Sequence, residues 1–196
     1  MMYKFFVVAG LFYFLAACAG YNPEDDYDLV SPARMNEVQL VDSRYPEAQV
    51  QRGKYLAGLL ACGTCHTAGA LAGDPDPARY YGGSDIGIAY TSPFGGKRPG
   101  ILYPANITSD PDTGIGKWTD DEIVRVIRTG VDKHGRNKVS VMPWQGYTKI
   151  VDEDALALVA FLRSLKIVDH KVPANVVPGQ KHIAPYVHFG VYQSRD

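Results

Sequence analysis

The sequence predicts a mainly α fold, with few helices joined by long loops. Three observations lead there. Apolar residues recur at three- and four-residue steps in the stretches 50–61, 119–130 and 152–165. Between the first two, residues 67–118 are rich in Gly, Pro and Asp, as in Gly73-Asp74-Pro75-Asp76-Pro77 and Pro93-Phe94-Gly95-Gly96, which leaves little room for regular structure. Directly after the first stretch stands Cys62-Gly63-Thr64-Cys65-His66. Two thiols at this spacing can each add across one vinyl group of a haem, and the next residue's imidazole then lies under the ring at an axial position. A long structureless loop normally argues against a compact domain. A large apolar disc supplies the missing core, because loops can wrap it.

Other chemistries for the motif are a zinc half-site and a redox dithiol. Zinc would want a further Cys or His pair at ligand spacing, and a dithiol would want a strand leading into its helix; the sequence offers neither. The chain has three cysteines in 196 residues, so Cys18 alone remains outside the motif. A formal net charge of −1 provides no basic field for nucleic acid, so no nucleic-acid partner is expected.

Met1-Met2-Tyr3-Lys4 followed by an apolar run has the form of a secretion signal, and the run is short for a membrane span. It ends in Leu15-Ala16-Ala17-Cys18, which resembles the lipobox of bacterial lipoproteins. That resemblance implies a signal peptide at 1–17, acylation of Cys18 and a periplasmic, membrane-anchored protein; Ala19 after the cysteine leans towards the outer membrane in a Gram-negative source. Ordinary signal cleavage and an uncleaved anchor are the alternatives. Residues 18–49 carry Pro23, Pro32, Pro46 and an acidic cluster, and read as a tether or arm. Their apolar residues, among them Val38 and Leu40, could instead pack as a strap.

The domain itself is expected at 50–166. Val50, Gly53, Ala57 and Leu60 form the stripe of the first helix, whose small residues allow another helix to approach closely. In the loops Tyr80, Tyr81, Tyr90, Phe94, Tyr103 and Trp118 are expected to do some of the wrapping, with plain core packing the alternative for each. Thr119-Asp120-Asp121-Glu122 has the form of a capping box, and Gly130 is placed to end that helix. Asp152-Glu153-Asp154 opens the last helix with acidic residues at the positive end of its dipole. Residues 167–196 read as an irregular C-terminal extension that wraps the domain or meets a partner; His170, His182 and His188 are expected to be solvated or hydrogen-bonded. With one Cys-x-x-Cys-His motif, a single haem is expected.

The first helix running into the motif, with a last helix to cross it, resembles the class I cytochrome c fold. Arg52-Gly53-Lys54-Tyr55-Leu56, Asn106-Ile107-Thr108, Asp110-Pro111-Asp112-Thr113-Gly114-Ile115-Gly116 with Trp118, and Met142-Pro143-Trp144 resemble more specifically the cytochrome c domains of bacterial membrane-bound alcohol, aldehyde and sugar-acid dehydrogenases. The likeness runs from about residue 51 to 165. It implies haem c on Cys62 and Cys65, iron held by His66, and propionates near Asn106, Thr108 and Trp118. Met142 is the candidate for the second axial ligand: Met1 and Met2 fall in the signal, Met35 in the arm, and Pro143 stiffens the loop as in the family. Core filling is the other role of a lone Met. Those dehydrogenase subunits often carry three such domains and this chain one, so it reads as a stand-alone lipid-anchored carrier. It would pass single electrons between a dehydrogenase or quinol-oxidising complex and a terminal acceptor, without catalysing a reaction itself. A haem enzyme or gas sensor with a displaceable sixth ligand, and a structural cytochrome subunit of a membrane oxidoreductase complex, are the alternatives.

Overall fold

The computed structural model describes residues 37–41, 44–92 and 98–189. The signal segment, Cys18, Met35 and Phe94 lie outside them. Helix α1, Glu47–Leu59, buries Val50, Gly53, Leu56 and Ala57 along one side. It begins before the apolar stripe does, because Pro46 presets the entry φ at −56° and its carbonyl accepts the N–H groups of Gln49 and Val50. It also ends short of the expected Ala61. That residue takes the left-handed conformation, φ 54°, and turns the chain directly into α2, Cys62–His66.

Helix α3, Asp120–Thr129, has the capping box in full: Glu122 N–H donates to Thr119 Oγ1 at 3.1 Å and Thr119 N–H to Glu122 Oε2 at 2.8 Å. Gly130 closes it at φ 67°. Helix α4, Asp152–Arg163, buries every residue from Ala155 to Leu162 except Leu156, which is exposed. It stops before the expected Leu165, with Ser164 Oγ turned back onto the Ala160 carbonyl.

Helices α1 and α4 cross at Gly53. A Cβ there would stand 1.9 Å from the Ala157 carbonyl oxygen and 2.7 Å from Phe161 Cβ, so only glycine allows this approach. Around the crossing gathers the main core, including Leu56, Ala57, Tyr81, Ile123, Leu158, Phe161 and Leu165. Residues 37–41 form the strap: Leu40 bridges Leu165, Val41 N–H donates to Ser164, and Glu37 pairs with Lys54.

The sheet was not expected. Strands β1, Gly87–Ala89, and β2, Ile101–Leu102, pair antiparallel, and β3, Tyr186–His188, joins β1 in parallel, giving the order β2-β1-β3. Strands of two or three residues are too short to show alternation, and the parallel partner comes from the far end of the chain. A second small core forms there from Ala89, Ile101 and Tyr103 with Val172, Val176 and Tyr186. Residues 172–188 thus pack on β1 and β2, with a strand where an irregular stretch was expected, and among the described residues the regular structure is mainly helical with few helices. Among the described residues no helix is long and apolar enough to cross a membrane.

Candidate haem site

The left-handed Ala61 places the start of α2 against the end of α1, so that Cys62 packs on the main core while Cys65 and His66 remain half-buried. Both cysteines carry free thiols. Burial pushes the Cys62 thiol up to about 11 and raises that of Cys65 as well. A redox dithiol needs the opposite shift, towards thiolate at neutral pH. Nor is any group of three or more His, Cys, Asp or Glu among the described residues disposed to hold a metal ion, so the zinc alternative has no ligand set there.

His66 Nδ1 lies 2.7 Å from the Ala105 carbonyl oxygen. A carbonyl only accepts, so Nδ1 carries the proton and Nε2 keeps its lone pair. Burial lowers the pKa of this imidazole against the opposing Ala105 bond, and the Lys138 ammonium acts in the same direction as burial. The neutral, oriented ring is what an iron ligand requires. Gly83 N–H donates to the His66 carbonyl at 2.9 Å, so the loop after the motif folds back on its end.

The candidate for the second donor, Met142, lies later in the chain. Met142 is half-buried in the segment between α3 and α4, its N–H on the Val139 carbonyl at 3.1 Å. Lys138, whose charge reaches His66, lies four residues before it, and Tyr147, whose hydroxyl donates to the Leu60 carbonyl at 3.3 Å, interacts with both cysteines five residues after it. The Met142 segment thus lies between Lys138, whose charge acts on His66, and Tyr147, bonded to Leu60 just ahead of the motif. Two free thiols on one helix, an imidazole with Nδ1 bonded to Ala105, and a methionine on a segment flanked by Lys138 and Tyr147 are donor types that fit haem c. Cys62 and Cys65 would hold it covalently, and His66 and Met142 would ligate its iron.

Asn106 and Thr108 are buried and bonded within the chain. Asn106 Nδ2 donates to Thr113 Oγ1 at 2.9 Å and to the Val168 carbonyl at 2.7 Å, while its Oδ1 accepts both the N–H and the hydroxyl of Thr108. Val168 N–H in turn donates to Thr108 Oγ1 at 3.2 Å. Trp118 is half-buried beside Lys133, whose ammonium stands 5.7 Å from the ring centroid. Of the aromatics, Tyr81 packs edge-on against Phe161 in the main core, and Tyr103 belongs to the small core at the sheet.

Two features escape a reading of the sequence. The Ala105 carbonyl is backbone and leaves no residue signal. Asp132, buried among the donors of its own turn, stands in Asp132-Lys133-His134-Gly135-Arg136, where the Asp and Gly spacing signals a turn without telling what it serves.

No family model matches the chain. Alcohol dehydrogenase (quinone), cytochrome c subunit, from Gluconobacter oxydans is 37% identical over 115 residues, 59% of this chain and 21% of that protein. The chain is similar to cytochrome c subunits of dehydrogenases. A second such relative, the gluconate 2-dehydrogenase cytochrome c subunit of Pantoea cypripedii, is 34% identical over 122 residues, 62% of this chain and 24% of that protein. The fructose dehydrogenase cytochrome subunit of Gluconobacter japonicus is 31% identical over 130 residues, 66% of this chain and 24% of that protein. The chain therefore spans a quarter or less of the length of these cytochrome subunits.

Proposed function

We propose that this chain is a mono-haem c-type cytochrome that transfers single electrons as a cytochrome subunit of a dehydrogenase complex. The observation that carries the reading is His66, fixed by the Ala105 carbonyl with Nε2 free, one residue after two unpaired thiols. Haem c, when bound, supplies a one-electron iron couple. The chain's own part is to hold it. Cys62 and Cys65 would hold the haem through their sulfurs, and His66 and Met142 would ligate its iron, which would leave no coordination site for a substrate and suits outer-sphere transfer. A thioether is a soft, neutral ligand that favours the ferrous state and raises the potential relative to a second imidazole. Asn106 and Thr108, tied to Thr113 and Val168, hold their loop in one shape, and with Trp118 they would flank the propionates.

The named relatives are subunits, which favours the cytochrome-subunit reading over the stand-alone carrier. Export, acylation of Cys18, a periplasmic location and an outer-membrane anchor belong to the proposal, as do a dehydrogenase or quinol-oxidising complex as donor and a terminal acceptor beyond it.

Acid-acetone extraction tests the attachment: the haem is expected to stay on the protein, and in Cys65→Ser to be held less stably, by the one thioether bond left at Cys62. Extraction from the parent would refute the c-type reading. The ferric spectrum tests the role. Low-spin iron with a weak sulfur-to-iron band supports electron transfer, whereas high-spin iron that takes up carbon monoxide at once after reduction supports a haem enzyme or sensor.

A further inference from the structure

The segment that carries Met142 is built on one buried carboxylate. The Asp132 side chain has 0% exposure. Its Oδ1 accepts the backbone N–H groups of His134 at 2.9 Å and Arg136 at 3.0 Å; its Oδ2 accepts Arg136 Nε at 2.9 Å and Lys138 Nζ at 3.1 Å. Its backbone carbonyl accepts Arg125 Nη2 of α3 at 3.0 Å, which ties the turn to the helix before it. A carboxylate removed from water stays charged only where donors match its lone pairs, and losing those donors strands it. These four donors all come from residues 134–138, so the turn cannot open without exposing or stranding the charge.

Lys138 passes this order on. Its N–H donates to the Gly130 carbonyl at 2.7 Å, and its own carbonyl accepts Trp144 Nε1 at 3.4 Å. The Trp144 ring lies flush on Gly130, where a Cβ would meet it at 2.6 Å. Between Lys138 and Trp144 sits Met142, whose carbonyl accepts the Trp144 N–H at 2.8 Å. Asn137, Val139, Ser140 and Pro143 are exposed, so little apolar burial holds this stretch.

We propose that Asp132 is a positioning residue for the sixth iron ligand: its buried carboxylate holds residues 130–144 in the shape that carries the Met142 sulfur to the iron. This rests on the reading of Met142 as an axial ligand. The carboxylate touches neither haem nor iron, and acts through the Lys138 and Trp144 bonds.

The test uses the holoprotein with imidazole as competitor for the sixth site. Asp132→Asn keeps the shape and removes the charge; the double variant Arg136→Met, Lys138→Met keeps the charge and removes its side-chain donors. Both are expected to bind imidazole about tenfold or more tightly than the parent, as the loosened loop yields its sulfur. The sulfur-to-iron band weakens, and the amide protons of His134 and Arg136 exchange faster while that of Gly83, on the His66 side, does not. If Asp132→Asn fails to fold, the double variant carries the same expectation. A parent without the sulfur-to-iron band refutes the Met142 reading itself. A parent with the band, and variants that match its imidazole affinity, overturn the positioning role; so does a drop in the unfolding midpoint of the imidazole-saturated protein with no change in that affinity, which would assign Asp132 to the fold alone.

Discussion

His66 has two tautomers open to it, and the Ala105 carbonyl at 2.7 Å selects the one with the lone pair on Nε2. The proposed hold of the Met142 sulfur on the iron would depend instead on the loop that carries it. Met142→Ala is therefore expected to abolish the sulfur-to-iron band, open the iron to carbon monoxide and lower the potential by a substantial part of the about 0.8 V range that axial ligands span. The ferric red-region spectrum and a redox titration check this. Haem attachment is expected to stay intact in this variant, through Cys62 and Cys65. At this scale the sequence was most legible where chemistry is written in adjacent residues, as in Cys62-Gly63-Thr64-Cys65-His66. It was least legible at Asn106 and Thr108, whose partners Thr113 and Val168 follow at increasing separation along the chain.

Each helix was visible as a period, yet the boundaries moved wherever a single residue's conformation decided them. Pro46 started α1 early and Ala61 ended it early; both are backbone matters that an apolar stripe does not record. The α1–α4 crossing carries the sharpest test among the elements. Gly53→Ala would place its Cβ 1.9 Å from the Ala157 carbonyl oxygen, so the helices must part. The cost is expected to be roughly 1–3 kcal/mol or more, read as a fall in the thermal midpoint of several degrees. Gly58→Ala, on the same helix with nothing within 4 Å of the added Cβ, serves as the control. It is expected to be neutral or to stabilise by up to about 1 kcal/mol, from helix propensity alone.

Over the whole molecule, buried and half-buried carboxylates fasten segments that local structure leaves loose. Asp120 receives Tyr45 at 2.5 Å, Arg44 at 2.9 Å and Arg163 at 3.2 Å, and so ties the residues ahead of α1 to α3 and α4. Burial alone would raise its pKa; the Tyr45 and Arg163 bonds outweigh that and hold it below the ordinary aspartate value. Asp85 is lowered in the same way, burial being outweighed by Arg79 and His170. A carboxyl with a depressed folded pKa contributes stability that is full above its unfolded pKa and is lost as pH falls through the folded one. The urea midpoint is therefore expected to hold steady down to about pH 4 and to fall below it, and Asp120→Asn is expected to be less stable at pH 7 with a shallower acid decline. A parallel decline in both proteins would rule out Asp120 as a contributor. By itself the sequence determined the haem motif, the three main helices and the capping box, because those signals are read over a few neighbouring residues. Only the tertiary structure decided the β1–β3 pairing, the Ala105 hold on His66 and the burial of Asp132. Each of these depends on where the folded chain places a group: the first two join segments far apart in sequence, and the burial of the third comes from packing, which no local pattern encodes.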